Sequence, residues 1–490
     1  MNKSHRQVFR SSAIIGGASV VTITIGIIKV KVLAILLGPA GVGLMGLYQS
    51  IIGTASSIAG CGISESGVRQ LAVSSNETSN LAIVRRTLWV SNLFLGLIGM
   101  TMIWLLREQV ALWVFGSTAH IEDIRWLGFG VLLTLIAGSQ TALLQGLRRI
   151  VDLARVNIIS SLIGASVGIL LVSLLGQEGV IWFVIVAPST SIMVAGYYAA
   201  KLPRIQTQPD WQAIRHQSKA MLKLGIPLMI ATLVTLVTQL ATRSIILREI
   251  DLDANGYFQA AWTISMTYIG FVLGAMSTDF FPRLTAAISD HALAKKLVDE
   301  QAEIALLLAG PVLLTMITLA PWVIHLLYAE SFLPATEILR WQVLGDILKV
   351  ASWPMGFILL AMGRGGIYIF TQLIWNVIYL GSIALGIKAW GLLIAGISFL
   401  LAYMVFYVVL IYIAEKLIGY KTSRRNLSYT MLLLITSGLI IALATKSPSM
   451  EYVAGVLAIL AASTYSLKRL DYLMDLRGWL GNTKKNDITS

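Results

Sequence analysis

Charge is scarce in this sequence. Only 12% of its 490 residues are Asp, Glu, Lys or Arg, where soluble globular domains carry about 25%, so a soluble globule is excluded. Cysteine is nearly absent. Cys61 stands alone, placed mid-helix between Gly60 and Gly62, and neither a disulfide framework nor a thiolate metal centre is available. The five histidines are dispersed, with no partner at ligand spacing, so no metal, no cofactor and no catalytic residue is expected. Gly41-Val42-Gly43-Leu44-Met45-Gly46 has the letters of a dinucleotide loop, but no strand precedes it. Asn76-Glu77-Thr78 fits a glycosylation site by letter only, because the expected topology places it inside the cell.

What the chain has is apolar length. Hydrophobic residues make up 57% and the mean hydropathy is +0.79. Runs long enough to span a bilayer fall at 12–37, 42–63, 88–106, 127–147, 158–175, 180–200, 224–247, 257–280, 304–327, 341–362, 367–387, 392–413, 429–445 and 452–467. Helix is the reading for each, since a helix pairs its own backbone groups in lipid. The fold class expected is an all-α polytopic membrane protein of about fourteen transmembrane helices. The net charge of +13 does not indicate nucleic acid. Lysines and arginines cluster in alternate loops, and the asymmetry predicts both termini on the cytoplasmic side of the membrane. Of the polar connections, 201–223 is the longest and reads as a basic, partly amphipathic cytoplasmic segment; 289–301 reads as a solvated linker helix. Arg340 falls to an outer loop, and the outer loops are too short for a catalytic domain.

The chain repeats itself. Shifted by about 214 positions, Lys29 falls on Arg243, Thr24 on Thr238, Ala40 on Ala254, Tyr48 on Trp262, Gly60 on Gly274, Glu65 on Asp279, Arg69 on Arg283 and Ser75 on Ser289. The expected organisation is two pseudo-repeated six-helix lobes, 1–208 and 209–415, followed by two additional helices and a cytoplasmic tail at 416–490.

Charges inside membrane helices are functional candidates. Lys29 shares a helix face with Ser19, Thr22 and Gly26; Arg243 shares one with Thr232, Thr235 and Gln239. Equivalent cations in two halves suit a pocket for an anion. Lys31 lies about 200 degrees round from Lys29 and either snorkels to the outer interface or joins it through a kink. Gln49 and Gln239 add polar contacts for substrate. Glu65 and Asp279, near the inner ends of their helices, are placed to bridge Arg69 and Arg283 four residues on, as gating or fold-stabilising pairs. Asp346 and Lys349 share a face with Gln342 and Trp353; they form an internal ion pair, or serve substrate contact or ion coupling.

Leu37-Gly38-Pro39-Ala40-Gly41-Val42-Gly43 and the stretch from Phe332-Leu333-Pro334-Ala335 through Gly345-Asp346-Ile347-Leu348-Lys349-Val350 resemble the Wzx-type polysaccharide transporters. These are flippases for undecaprenyl-diphosphate-linked O-antigen or enterobacterial common antigen units, in the MOP superfamily with lipid II flippases and MATE antiporters. The likeness covers roughly the first 415 residues and is nearest the enterobacterial common antigen flippases, on whose first-helix lysine Lys31 falls. The two terminal helices exceed the usual twelve. The resemblance implies two lobes around a central cavity, alternating access in a bacterial inner membrane, and a role in O-antigen or related lipopolysaccharide assembly. Its implied partners are the lipid-linked oligosaccharide, membrane lipids, and the polysaccharide polymerase and chain-length regulator. The competing readings are a MATE-like cation or drug antiporter, which calls for bare carboxylates, and a membrane enzyme such as a polymerase or ligase, which calls for a large outer loop.

Overall fold

The structure, a computed structural model, describes residues 3–74, 78–202 and 210–474. Ser75, Asn76 and Glu77, the 203–209 part of the central connection and the tail from 475 lie outside the described residues. Among the described residues all regular structure is helical. The first group is α1 (Lys3–Gly60), α2 (Ile63–Ser74), α3 (Thr78–Leu105), α4 (Arg107–Phe115), α5 (Ile121–Gly146), α6 (Ile150–Leu175), α7 (Gly179–Ala200) and α8 (Trp211–Glu249). The second is α9 (Leu252–Ala287), α10 (His291–Thr318), α11 (Ala320–Leu327), α12 (Ala335–Ala361), α13 (Gly365–Trp390), α14 (Ile394–Ile418), α15 (Arg424–Ala444) and α16 (Pro448–Met474).

Ten described segments are long and apolar enough to cross a bilayer, or eleven if the bent pair Leu252–Gly274 and Asp279–Ala287 counts as one more. Three of the ten, Gly16–Gly60, Ile150–Ala200 and Gly365–Ile418, run 45, 51 and 54 residues. At 1.5 Å per residue each exceeds a single ~30 Å crossing, and each contains a break. In α1 the break is Gly38, with φ 64 and ψ −169, a conformation nearly closed to residues with a Cβ. Pro39 follows as the first residue of the second arm, where its missing N–H costs nothing.

The second arms of the two hairpins aligned by the repeat both break. Cys61 and Gly62, with φ of 49 and 67, separate α1 from α2; in α9 a 52° bend falls between Gly274 and Asp279. Cys61 is thus a turn residue rather than a mid-helix one. The connections are also more regular than expected. The 289–301 stretch is not a separate linker helix but the first turns of α10, whose N-terminus is capped by Asp290 accepting from Ala292 and Leu293 N–H at 3.0 and 3.1 Å. The 211–223 stretch runs straight into the membrane part of α8, with Ile214 and Met221 buried and Arg215, Lys219 and Lys223 exposed.

By packing, the chain forms two compact units: Met1–Gly256 with Leu327–Ser331, and Tyr257–Leu326 with Phe332–Ser490. The division falls after Gly256, so α8 packs with α1, α2 and α3 in the first unit. The approach there is close. A Cβ on Gly256 would stand 2.0 Å from the Pro39 carbonyl oxygen, and one on Gly43 2.4 Å from that of Leu252. The glycines of one hairpin turn therefore admit the backbone of its repeat equivalent. The second unit is built on α12, which packs against α10, α14 and α15, with α16 lying on α10.

Candidate functional site

In the first unit, the C-terminal end of α8 is tied on two sides. Asn255, fully buried, donates from Nδ2 to the Arg243 carbonyl at 2.7 Å. The Ser244 hydroxyl reaches the Trp113 and Val114 carbonyls at 2.8 and 2.9 Å. Arg243 is buried, 4% exposed, between the buried Thr242 and Ser244. Lys29, partly buried on the first arm of α1, holds its ammonium 5.4 Å from the centre of the Phe183 ring of α7. A ring face is a compensating environment for a cation taken out of water. Lys31 and Gln239 are partly buried and Gln49 is exposed. Lys29, Lys31, Gln49, Gln239 and Arg243 thus all belong to the unit that holds α8.

The two acids aligned by the repeat, Glu65 and Asp279, differ in their partners. Asp279 accepts from Arg283 at 3.0 Å in an exposed pair one turn apart. Glu65 and Arg69 are both exposed, and among the described residues no ion pair joins them. What the two acids share is position. Glu65 lies in the first turn of α2 and Asp279 begins the segment after the bend in α9, where a carboxylate faces the positive end of a helix dipole.

In the second unit, Asp346 is completely buried on α12. Its Oδ2 accepts from the Ser265 hydroxyl of α9 at 2.5 Å, and its Oδ1 lies 3.8 Å from the Lys349 ammonium. The ion pair expected from the three-residue spacing is present. Lys349 rests among Met266 Sδ at 3.3 Å and the rings of Phe399 and Tyr403, each 5.9 Å away.

Three further clusters carry partly or fully buried charge that face-reading of single helices did not find. In the first unit, the Tyr48 hydroxyl donates to Asp123 Oδ2 at 2.5 Å and His120 Nδ1 lies 2.8 Å from the same oxygen, with Phe115 packed on the imidazole. The available signal was the His120 to Asp123 spacing of three. In the second unit, Arg340 pairs with Glu451 of α16, both largely buried. Glu303 of α10, 4% exposed, is bridged by Arg425 of α15 and, at 2.7 Å, by Arg469 of α16. Arg340 therefore belongs to a buried pair and not to an outer loop. Asp299, one turn before Glu303, accepts from Asn426 Nδ2 at 2.9 Å.

Residues 32–337, more than half of the chain, match the family model described as a polysaccharide biosynthesis protein. The chain belongs to that family. Among curated relatives of this polysaccharide biosynthesis protein, the lipid III flippases of Escherichia coli (strain K12) and Shigella flexneri are each 22% identical over 393 residues. That alignment takes in 80% of this chain and 94% of either relative. Among solved structures, the fold is similar to lipid II flippase MurJ in an inward closed conformation, with a TM-score of 0.71 at 13% identity over 94% of this chain and 99% of that one. It is also similar to a multidrug resistance MATE family transporter of the MOP superfamily in an inward-facing conformation, with a TM-score of 0.61 at 16% identity over 84% and 94%. The polytopic helical fold of that lipid II flippase is thus matched over nearly the whole length.

Proposed function

We propose that this polysaccharide biosynthesis family member is a flippase and not an enzyme, one that moves an undecaprenyl-diphosphate-linked oligosaccharide from the inner to the outer leaflet of a bacterial inner membrane by alternating access. The product would serve O-antigen, enterobacterial common antigen or related surface polysaccharide assembly. The relatives named lipid III flippase support the substrate class, and the MurJ-like fold supports the transport mode. The observation that carries the reading is the pair of intramembrane cations, Lys29 and Arg243, at equivalent positions of the repeat.

In this reading Arg243 offers its planar fork to two phosphate oxygens and Lys29 adds a point charge. Lys31, Gln49 and Gln239 contact the remainder of the head group. Glu65, Asp279, Arg69 and Arg283 act at the inner gate, and Asp346 and Lys349 act in coupling. The lobes 1–208 and 209–415 move against one another with α8 packed on the first, and the segment 416–490 is an accessory pair. Fourteen crossings with both termini cytoplasmic follow if each of the three long segments crosses twice and the bent pair of α9 makes one further crossing. The MATE likeness of fold keeps a drug antiporter as the second reading, against which the cations weigh.

The test is export. In a strain lacking its own flippase, Arg243→Ala should reduce surface polysaccharide at least tenfold, Arg243→Lys should partly restore it, and Lys29→Arg should be tolerated better than Lys29→Ala. Normal export by both alanine variants at normal protein levels would show that no such clamp exists.

A further inference from the structure

The Asp346–Lys349 pair is built differently from the other buried ion pairs of the second unit. Glu303 is bridged by two arginines, and Arg340 meets Glu451 directly with a second contact to the Ile317 carbonyl. Asp346 has one strong partner, the Ser265 hydroxyl on Oδ2. Its Oδ1 is buried with no hydrogen-bond partner among the described residues, and the nearest cation stands 3.8 Å away, beyond hydrogen-bond length. One turn earlier on the same face, Gln342 is fully buried with both amide atoms unpartnered. Buried polar atoms in a low-dielectric interior are costly to leave unpaired. This stretch of α12 keeps an open carboxylate oxygen and an open amide side by side.

Exposure separates the two charges. Asp346 is 0% exposed and the Lys349 side chain 19%. Between Gln342 and Ser352 every residue of α12 is buried except Lys349, and Trp353 continues its stripe one turn on. Lys349 is thus the charge that reaches out of the helix packing, while Asp346 is the charge behind it. The groups facing them from the packed elements are the Ser265 hydroxyl and Met266 thioether of α9 and the Tyr403 phenol and Phe399 ring of α14. The Tyr368 phenol of α13 lies within electrostatic reach of Tyr403. None of these is a second cation that would hold Asp346 ionised.

We propose that Asp346 is a proton-loading site and Lys349 its anion-binding arm: a proton taken up on Asp346 Oδ1 converts the neutral pair into a single positive charge that receives a phosphate-type anion. The balance is one proton. It adds to the carboxylate, the ion pair is lost, the Ser265 contact remains, and the ammonium is left on the rings of Phe399 and Tyr403 with its charge unopposed. Release of the proton restores the pair and expels the anion. By linkage, anion binding must then raise the proton affinity of Asp346 by the factor that protonation raises anion affinity. The anion half rests on the diphosphate substrate proposed above; the proton half does not.

The experiment is pH-difference infrared spectroscopy of the purified full chain in phosphatidylcholine vesicles. A protonated-carboxyl band should grow as the pH falls and be missing from Asp346→Asn. Lys349→Met should move its midpoint to higher pH, raising proton affinity tenfold or more, because the neighbouring cation is gone. Inorganic pyrophosphate should raise the midpoint of the unaltered protein and not that of Lys349→Met. Exchange of KCl for NaCl should leave it in place. A spectrum of Asp346→Asn identical to the unaltered one, or an unmoved midpoint in Lys349→Met, overturns the proton site. Where Asp346→Asn does not accumulate, the Lys349→Met shift decides alone. A midpoint lowered by sodium makes this a metal-cation site and overturns the proposal, and an unmoved midpoint with pyrophosphate overturns its anion half. Normal export by Arg243→Ala would defeat the diphosphate clamp and leave the Asp346 titration standing.

Discussion

A single carboxylate, Asp123, accepts from both Tyr48 and His120, and it shows what a helix in lipid asks of its polar groups. Tyr48 is 1% exposed, so its hydroxyl has no water to turn to. Removing one partner of a buried hydrogen bond costs roughly 1–3 kcal/mol. Asp123→Leu should therefore destabilise more than Tyr48→Phe, which leaves the acid its imidazole. The measurement is the thermal unfolding midpoint of each variant in detergent, and equal midpoints would remove the cluster from the list of stabilising contacts. Residues of this kind were only partly legible in the sequence. Asp346 and Lys349 could be paired on paper because they are three apart on one helix. Arg340 and Glu451 are 111 residues apart, and no periodicity within either helix points to the other. Lys29 and Arg243 were found by the repeat, a signal that locates equivalents without saying what surrounds them; the Phe183 ring beneath Lys29 was not foreseeable.

Single helices were legible from apolar length, and so was the junction at Gly38, where the runs 12–37 and 42–63 part and one residue with φ 64 ends one arm of α1 and starts the next. The break at Cys61–Gly62 was not, because hydropathy averages over a window and passes smoothly across those two residues. The 289–301 stretch reads as a separate solvated linker helix and 201–223 as a partly amphipathic surface segment, whereas from His291 and from Trp211 the backbone runs on as one helix into the apolar parts of α10 and α8, since a helix leaving the bilayer needs only a polar surface to persist. The hairpin turns also meet more closely than side chains would permit. Gly256→Ala drives a Cβ into the Pro39 carbonyl, a backbone atom that cannot rotate away, and overpacking of this kind costs about 1–3 kcal/mol. Ala at Gly270, where no heavy atom lies within 4 Å, should be neutral. Detergent thermal shifts of the two variants compare a close contact with open space on the same helix, and equal values would mean that the contact yields.

At the scale of the whole chain, the lysine and arginine asymmetry predicts both ends on the cytoplasmic side. In a Cys61→Ala background, Gln212→Cys and Ser490→Cys should react with a membrane-impermeant thiol reagent only after the cells are opened; labelling from outside would reverse the orientation. The repeat does not say that α8 packs with the first unit, because a repeat marks resemblance and packing is decided by which surfaces are complementary. The terminal helices supply the countercharges of the second unit, with Arg425 and Arg469 for Glu303 and Glu451 for Arg340. Truncation after Lys416 should therefore leave a charge inside α10 and another in α12, each costly in lipid, and immunoblots should show a protein that fails to accumulate rather than one that accumulates and fails to export. Synthesis runs in one direction, so the ribosome has made Glu303 and Arg340 well before their partners. Until Arg425 and Glu451 follow, the nascent chain carries two unanswered charges into the bilayer, each costly in lipid.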